Sequence, residues 1–292
     1  MDIKPAQVKE LRERTGAGMM DCKRALQEAS GDLDAAAEHL RKAGQAKADK
    51  KASRVAAEGQ IVIKSDPALG RHAIVEINSE TDFVAKDDNF CGFADLVAST
   101  ILSEAPADLD ALMALEVGGE DLETQRKALI AKVGENINVR RFQVLESQGT
   151  VGSYSHMGRI GVLVELEGGD EVLAKDLAMQ VAASAPRYVG PDDVPAAELD
   201  KEREILTAQA LAEGKPEEIV AKMVEGRLRK HLEQVTLVGQ EFVKDPDKRV
   251  RDLLSAAGAT VKGFARLEVG EGIEKKADDF VQEVMAQASQ SR

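Results

Sequence analysis

Two stretches of this chain superpose without a gap. EINSETDFVAKD (76–87) lies over ELEGGDEVLAKD (165–176), with Glu76 against Glu165 and Ala85-Lys86-Asp87 against Ala174-Lys175-Asp176. Each follows a run of strand-forming residues and leads into a helical pattern. That pattern ends Val97-Ala98-Ser99 in the first copy and Ala182-Ala183-Ser184 in the second, after a four-residue difference in length. A repeated strand-to-helix unit commits the chain to a duplicated β/α core, because each copy carries an apolar face that must be covered. The copies differ at the turn, where Asp82-Phe83-Val84 stands opposite Glu171-Val172-Leu173.

Phe83 is notable because the chain has only seven Phe, two Tyr and no Trp. It sits on a strand-to-helix corner among Glu80, Asp82, Asp87 and Asp88. Two readings stand. The ring turns inward as the first core residue of the next helix, as most aromatic side chains do, and the apolar Val172 in the matching place favours this. Alternatively, the ring points outward, where a partner reaches it.

The rest of the chain arranges itself around the duplication. Val8, Leu11 and Arg12 share a face of a first helix stopped by Gly16 and Gly18. Asp21 is expected to cap a second helix that ends by Gly31, and Asp32 or Asp34 a third carrying Ala36, Ala37 and Leu40. Three short helices in about 40 residues make a thin-cored bundle of the kind that serves in interactions. Arg41 to Arg54 holds six bases against one acid, Asp49. With no aromatic residue interleaved for base stacking, it reads as a solvated linker helix rather than a nucleic-acid patch. GQIVIK and RHAIVEIN, joined through Pro67 and Gly70, read as an antiparallel strand pair. Helical spacing follows at Asn89–Leu102 and Leu122–Val133, and extended segments at Asn138–Glu146 and Thr150–Tyr154. Beyond Pro191 and Pro195, residues 196–212 and 216–234 read as an inserted helical hairpin. Its stripes are Leu199, Leu206, Ala210 and Val220, Val224, Leu228. QEFVKD and VKGFARLEVG return to strand pattern, and Asp278–Ala288 is a last amphipathic helix.

No familiar catalytic motif is found, which argues against an enzyme of known motif type. There is no phosphate loop, no dinucleotide fingerprint and no zinc-protease motif. Gly16-Ala17-Gly18 follows no strand and reads as an interhelical turn. His39, His72, His156 and His231 are scattered, so no metal or other cofactor is expected. His156, in GSYSHMGRIG, reads as a surface or satisfied histidine, with a contact role as the alternative. Acids outnumber bases 52 to 39, a net charge of −13, which argues against broad nucleic-acid binding. No run is apolar and long enough for a leader or a membrane span. Two cysteines, Cys22 and Cys91, in unrelated contexts point to a reduced, cytoplasmic setting.

LRERTGAGMMDCKRAL (11–26), TDFVAKDDNF (81–90), GENINVRR (134–141) and VGEGIEKK (269–276) together resemble the bacterial translation elongation factor Ts family, over nearly the whole chain and in order. The resemblance implies an α+β fold. Its parts would be an N-terminal ubiquitin-associated-like three-helix domain with linker (1–54) and a duplicated α/β core with antiparallel sheets (55–148 and 149–272). A coiled-coil hairpin would be inserted at about 191–238, with a C-terminal helical module at 273–292. It also implies a guanine-nucleotide exchange factor that binds elongation factor Tu and promotes GDP release, an activity of conformation and not enzymatic catalysis. Val8, Leu11, Arg12, Met19 and Met20 match the surface that docks on that partner. Thr81, Asp82, Phe83 and Val84 match the segment that dislodges the partner's Mg²⁺, and His156 matches a contact near its phosphate loop. No direct nucleic-acid partner is implied, and the hairpin stripes leave self-association open. The competing function is a protein- or RNA-binding scaffold, resting on the basic stretch from Arg41 to Arg54.

Overall fold

The computed structural model describes residues 3–214 and 216–274. The expected helix at Asp278–Ala288, and the 273–292 segment from residue 275 on, lie outside the described residues. The chain divides into two compact units. The first comprises the chain up to Gln60, Glu76–Arg141 and the segment from Glu268. The second comprises Ile61–Val75 and Phe142–Leu267.

The first unit opens with α1 (Pro5–Thr15), α2 (Met19–Glu28) and α3 (Leu33–Lys51). Their shared core is Val8, Leu11, Cys22, Ala25, Leu26 and Ala36. Arg12 is exposed, so it does not share the face of Val8 and Leu11. Helix α1 ends where Gly16 adopts a left-handed conformation, φ 67°. Gly18, not Asp21, stands at the N-cap of α2. Asp21 instead sits inside the first turn, ion-paired to Arg24 at 2.5 Å. Asp32 caps α3 as expected, its carboxylate accepting from the N–H groups of Asp34 and Ala35.

The expected linker helix is not a separate element, because α3 runs through it to Lys51. Nor is this stretch freely solvated. Gly44 lies where any Cβ would come within 3.1 Å of the Ala131 Cβ, so α3 approaches α6 (Leu122–Val133) as closely as a missing side chain permits. Ala48 is buried, Lys127 pairs with Asp49 at 3.0 Å, and Lys51 donates to the carbonyl of Gly134 at the end of α6. Between α4 (Asp88–Glu104) and α6 lie a short α5 (Leu109–Met113) and a two-stranded ladder of β3 (Glu116–Val117) and β4 (Glu120–Asp121).

Two three-stranded sheets carry the duplication. One has the order β1-β2-β5, formed by Glu58–Asp66, Arg71–Ser79 and Asn138–Glu146. The other has the order β10-β7-β6, formed by Thr260–Glu268, Ile160–Glu167 and Thr150–His156. The repeated strand is central in each sheet, and each leads into a helix: β2 into α4, and β7 into α7 (Glu171–Ser184). His72 to Ser79 of β2 are all buried, so both faces of this central strand are covered.

In the second unit Val162, Val164 and Leu166 of β7 pack with Leu177, Ala178 and Val181 of α7, each Val or Leu side chain contributing roughly 1.5–3 kcal/mol by burial. The inserted helices are α8 (Ala196–Ala212) and α9 (Glu217–Val235). Leu206, Ala210, Val220, Val224 and Leu228 form their seam, with Leu199 partly buried beside it. Glu213 meets Arg227 and Glu202 meets His231, so the helices run antiparallel. Between QEFVKD and VKGFARLEVG the chain also forms elements that strand patterning does not show. These are a ladder of β8 (Glu241–Phe242) with β9 (Asp245–Arg249), and then α10 (Val250–Ala257), whose Val250 and Leu254 join the α7 core.

Candidate functional site

Eight residues, 80–87, connect β2 to α4, and every part of that connection is tied down. Ser79 Oγ donates to the Thr81 carbonyl at 2.8 Å. The Thr81 N–H and hydroxyl both donate to the Glu135 carboxylate, at 2.9 and 2.7 Å. A single 3-10 turn, Val84–Lys86, follows, and Gln60 Nε2 donates to the Ala85 carbonyl at 2.6 Å. Asp87 then caps α4, accepting from the N–H groups of Asn89 and Phe90. Its carboxyl is held below the usual carboxylate range chiefly by the Asn89 side-chain amide, with the two backbone N–H groups adding to the effect.

Ala85 and Phe90 are the buried anchors of this corner. Phe83 is not one of them. Its ring is 82% exposed, which removes the inward reading. Beside it Asp82 and Lys86 form an ion pair at 2.8 Å on the surface, and Val84 is half-buried. Most large apolar side chains gain by burial, so a ring this exposed on a hydrogen-bonded corner is the outstanding candidate for a contact residue.

The gap-free match of Phe83 with Val172 does not describe the structure. Val172 lies inside the first turn of α7 and is 69% exposed, so neither residue is core. The equivalent positions are the helix caps. Asp170 caps α7 as Asp87 caps α4, and the two helices close on alanines in the same left-handed conformation, Ala105 (φ 45°) and Ala185 (φ 44°). The second copy connects strand to helix in three residues, Gly168 to Asp170, so the segment bearing Phe83 is extra chain.

Met19 and Met20 open α2 and are 58% and 75% exposed. With the exposed Arg12 they form the outward part of the matched N-terminal surface, whereas Val8 and Leu11 are buried in the bundle and shape that surface from beneath. The bundle and the Phe83 corner belong to the same unit, and Lys132 joins them. Its aliphatic chain passes beneath Gly16, and its ammonium donates to Asn89 Oδ1 at the start of α4.

His156 belongs to the second unit. It ends β6 at a tight turn, paired across the ladder with Ile160, and its Nδ1 lies 3.1 Å from the Tyr154 hydroxyl. The turn presents Met157, 87% exposed at φ 54°, a residue missed in the sequence. The Met157-Gly158 pair in the middle of an alternating segment was its available signal. Among the described residues, no group of three or more His, Cys, Asp or Glu is placed to hold a metal, and no helix is long and apolar enough to cross a membrane.

The family model described as Elongation factor TS matches residues 80–271. The chain is 61% identical over 290 residues to elongation factor Ts of Thioalkalivibrio sulfidiphilus, covering 99% of both chains. It is 60% identical over 289 residues to that of Alkalilimnicola ehrlichii, again covering 99% of both. It is 57% identical over 291 residues to that of Halorhodospira halophila, covering the whole of both.

Proposed function

We propose that this chain, which belongs to the elongation factor Ts family, speeds GDP release from elongation factor Tu by inserting the Phe83 ring into its partner. Family membership makes it a translation elongation factor. The exchange step is our reading, and one observation carries it: an aromatic ring 82% exposed on a corner fastened by hydrogen bonds at Thr81 and Ala85.

GDP in a GTPase is held by backbone amides and by Mg²⁺ that neutralises phosphate charge. A ring entering between elements of that site moves them, while Asp82 competes for the polar groups around the ion. Burying a Phe side chain gives roughly 1.5–3 kcal/mol, and each 1.4 kcal/mol is about tenfold in affinity. One ring therefore supplies about one to two decades, and the remainder falls to Thr81, Val84, Arg12, Met19, Met20 and His156. Linkage requires GDP to weaken factor binding by the ratio in which the factor weakens GDP binding. The turn carrying Phe83 is preorganised, so little ordering entropy is lost on contact.

The same reading takes the α1–α3 bundle as a ubiquitin-associated-like docking domain, α8 and α9 as a coiled-coil arm open to self-association, and the cytoplasm as the place of action. Against the RNA scaffold, three of the six bases between Arg41 and Arg54 already have acceptors in the chain: Lys42 with Glu38, Lys51 with Gly134 and Arg54 with Glu80. The test is stopped-flow release of a fluorescent GDP analogue from elongation factor Tu. Phe83→Ala should slow the saturated rate by about one to two decades, the loss expected for one buried ring. Release at the wild-type rate would remove the wedge.

A further inference from the structure

The GENINVRR stretch contains a residue to which the exchange reading gives no task. Glu135 follows Gly134, which ends α6 in a left-handed conformation at φ 86°. That reversal delivers the Glu135 carboxylate to the chain just before Phe83. One oxygen accepts the Thr81 N–H at 2.9 Å and the other the Thr81 hydroxyl at 2.7 Å. The exchange is reciprocal. Glu80 Oε1 accepts the Asn136 N–H at 2.7 Å, and Asn136, buried, donates its side-chain amide to the carbonyl of Arg54 at 2.8 Å. Two consecutive residues of the connection are thus clasped by two consecutive residues after α6.

The consequence for Phe83 is local and geometric. The Thr81 carbonyl receives the Ala85 N–H at 3.3 Å, and the Thr81 hydroxyl receives the Val84 N–H at 3.4 Å. Thr81 is therefore the base of the turn that holds Phe83, and its own hydroxyl proton is committed to Glu135. The Phe83 side chain is exposed, so the direction in which it leaves the backbone follows from this base.

We propose that Glu135 is a positioning residue for exchange: it touches no partner atom and acts only by holding Thr81, and through it Phe83, in the presented conformation. The inference rests on the wedge reading above. A carboxylate accepting two donors forms charge-assisted hydrogen bonds about twice as strong as neutral ones. Without it, the connection keeps its ends and loses its fixed middle.

The experiment is a double-mutant cycle on the full chain, read as release of a fluorescent GDP analogue from elongation factor Tu. Glu135→Ala should lower the saturated release rate about tenfold, while the half-saturating concentration changes less than about twofold, since the docking surface is untouched. Combined with Phe83→Ala it should cost much less than it does alone, because a residue that acts mainly through the ring loses most of its task once the ring is gone. Glu135→Gln keeps an acceptor for the Thr81 N–H and reverses the second bond, its amide N–H donating to the Thr81 hydroxyl oxygen, and should recover most of the rate. In the free protein, Glu135→Ala should speed amide exchange across residues 81–86 with the melting temperature of the whole chain little changed. A wild-type rate in Glu135→Ala, or a full multiplicative loss in the double variant, overturns the proposal while Phe83→Ala remains slow. Phe83→Ala releasing GDP at the wild-type rate instead overturns the wedge reading and the proposal together.

Discussion

The β2–α4 corner and the β7–α7 corner share one design and differ in the connection between strand and helix. In both, a central strand passes to a helix with an aspartate at its N-cap and a left-handed alanine at its end. The second corner makes the passage through Gly168 and Gly169, both at positive φ, and keeps the turn short. The first spends eight residues on it, and those residues fold into a hydrogen-bonded platform with Phe83 on top. A duplicated scaffold can hold its core constant and vary the connection, because loops tolerate insertion where packed elements do not.

The largest test of that comparison is at its matched glutamates. Glu76 of β2 is fully buried and accepts from Arg140, Arg141, Asn78 and the Gly270 N–H. Glu165 of β7 is half-buried and accepts from the Ser147 hydroxyl at 2.5 Å. Glu76→Ala should cost about 3–5 kcal/mol in urea unfolding, the range for breaking a buried pair, and Glu165→Ala about 1 kcal/mol. Burial pushes the Glu76 carboxyl upward, but the Gly270 N–H, Asn78 and the two arginines outweigh it and hold it below its ordinary value of 4.5. The contribution is therefore complete above that value and lost as pH falls through the lower folded-state one. The difference in unfolding midpoint between wild type and Glu76→Gln should shrink on acidification. A difference that grows would reverse the assignment.

A middle-sized effect separates the two turns. Gly168 is at φ 75°, and a Cβ there would stand 2.7 Å from the Gly258 carbonyl oxygen. Gly168→Ala combines left-handed strain of about 1–2 kcal/mol with that clash, and should lower thermal stability by about 2–3 kcal/mol. The smallest effect is at the tip residues. Val172→Ala, although it changes an exposed apolar side chain at the position matched to Phe83, should alter stability by less than about 0.5 kcal/mol and leave GDP release unchanged. A slowed release would mean that the second corner also meets the partner.

Much of the scaffold was legible because it depends on short-range rules. The bounds of α6, α8 and β5 follow from apolar period and capping, as Asp121 before α6 and Gly134 after it illustrate. Asp21 was misread because an acid in the first turn and an acid at the N-cap look alike in sequence. A few positions decide between them, and here Gly18 takes the cap. Helix α10 was hidden because VRDLLSAA is short and lies between strand-like segments. The extent of α3 was hidden because its last two turns rest on contacts distant in sequence, Gly44 against Ala131 and Lys51 with the Gly134 carbonyl.

Sequence alone determined the duplication, the three-helix N-terminus and the family, since repeats, periods and motifs are properties of residue order. Tertiary structure decided which copy presents a ring. An apolar residue at a corner satisfies local rules whether it points in or out. Phe83 is exposed while Ala85 and Phe90 occupy the interior, and Glu135, 54 positions from Thr81, accepts from the base of the turn. No local pattern records a hydrogen bond between residues so far apart, and two such bonds tie Thr81, two residues before Phe83, to Glu135.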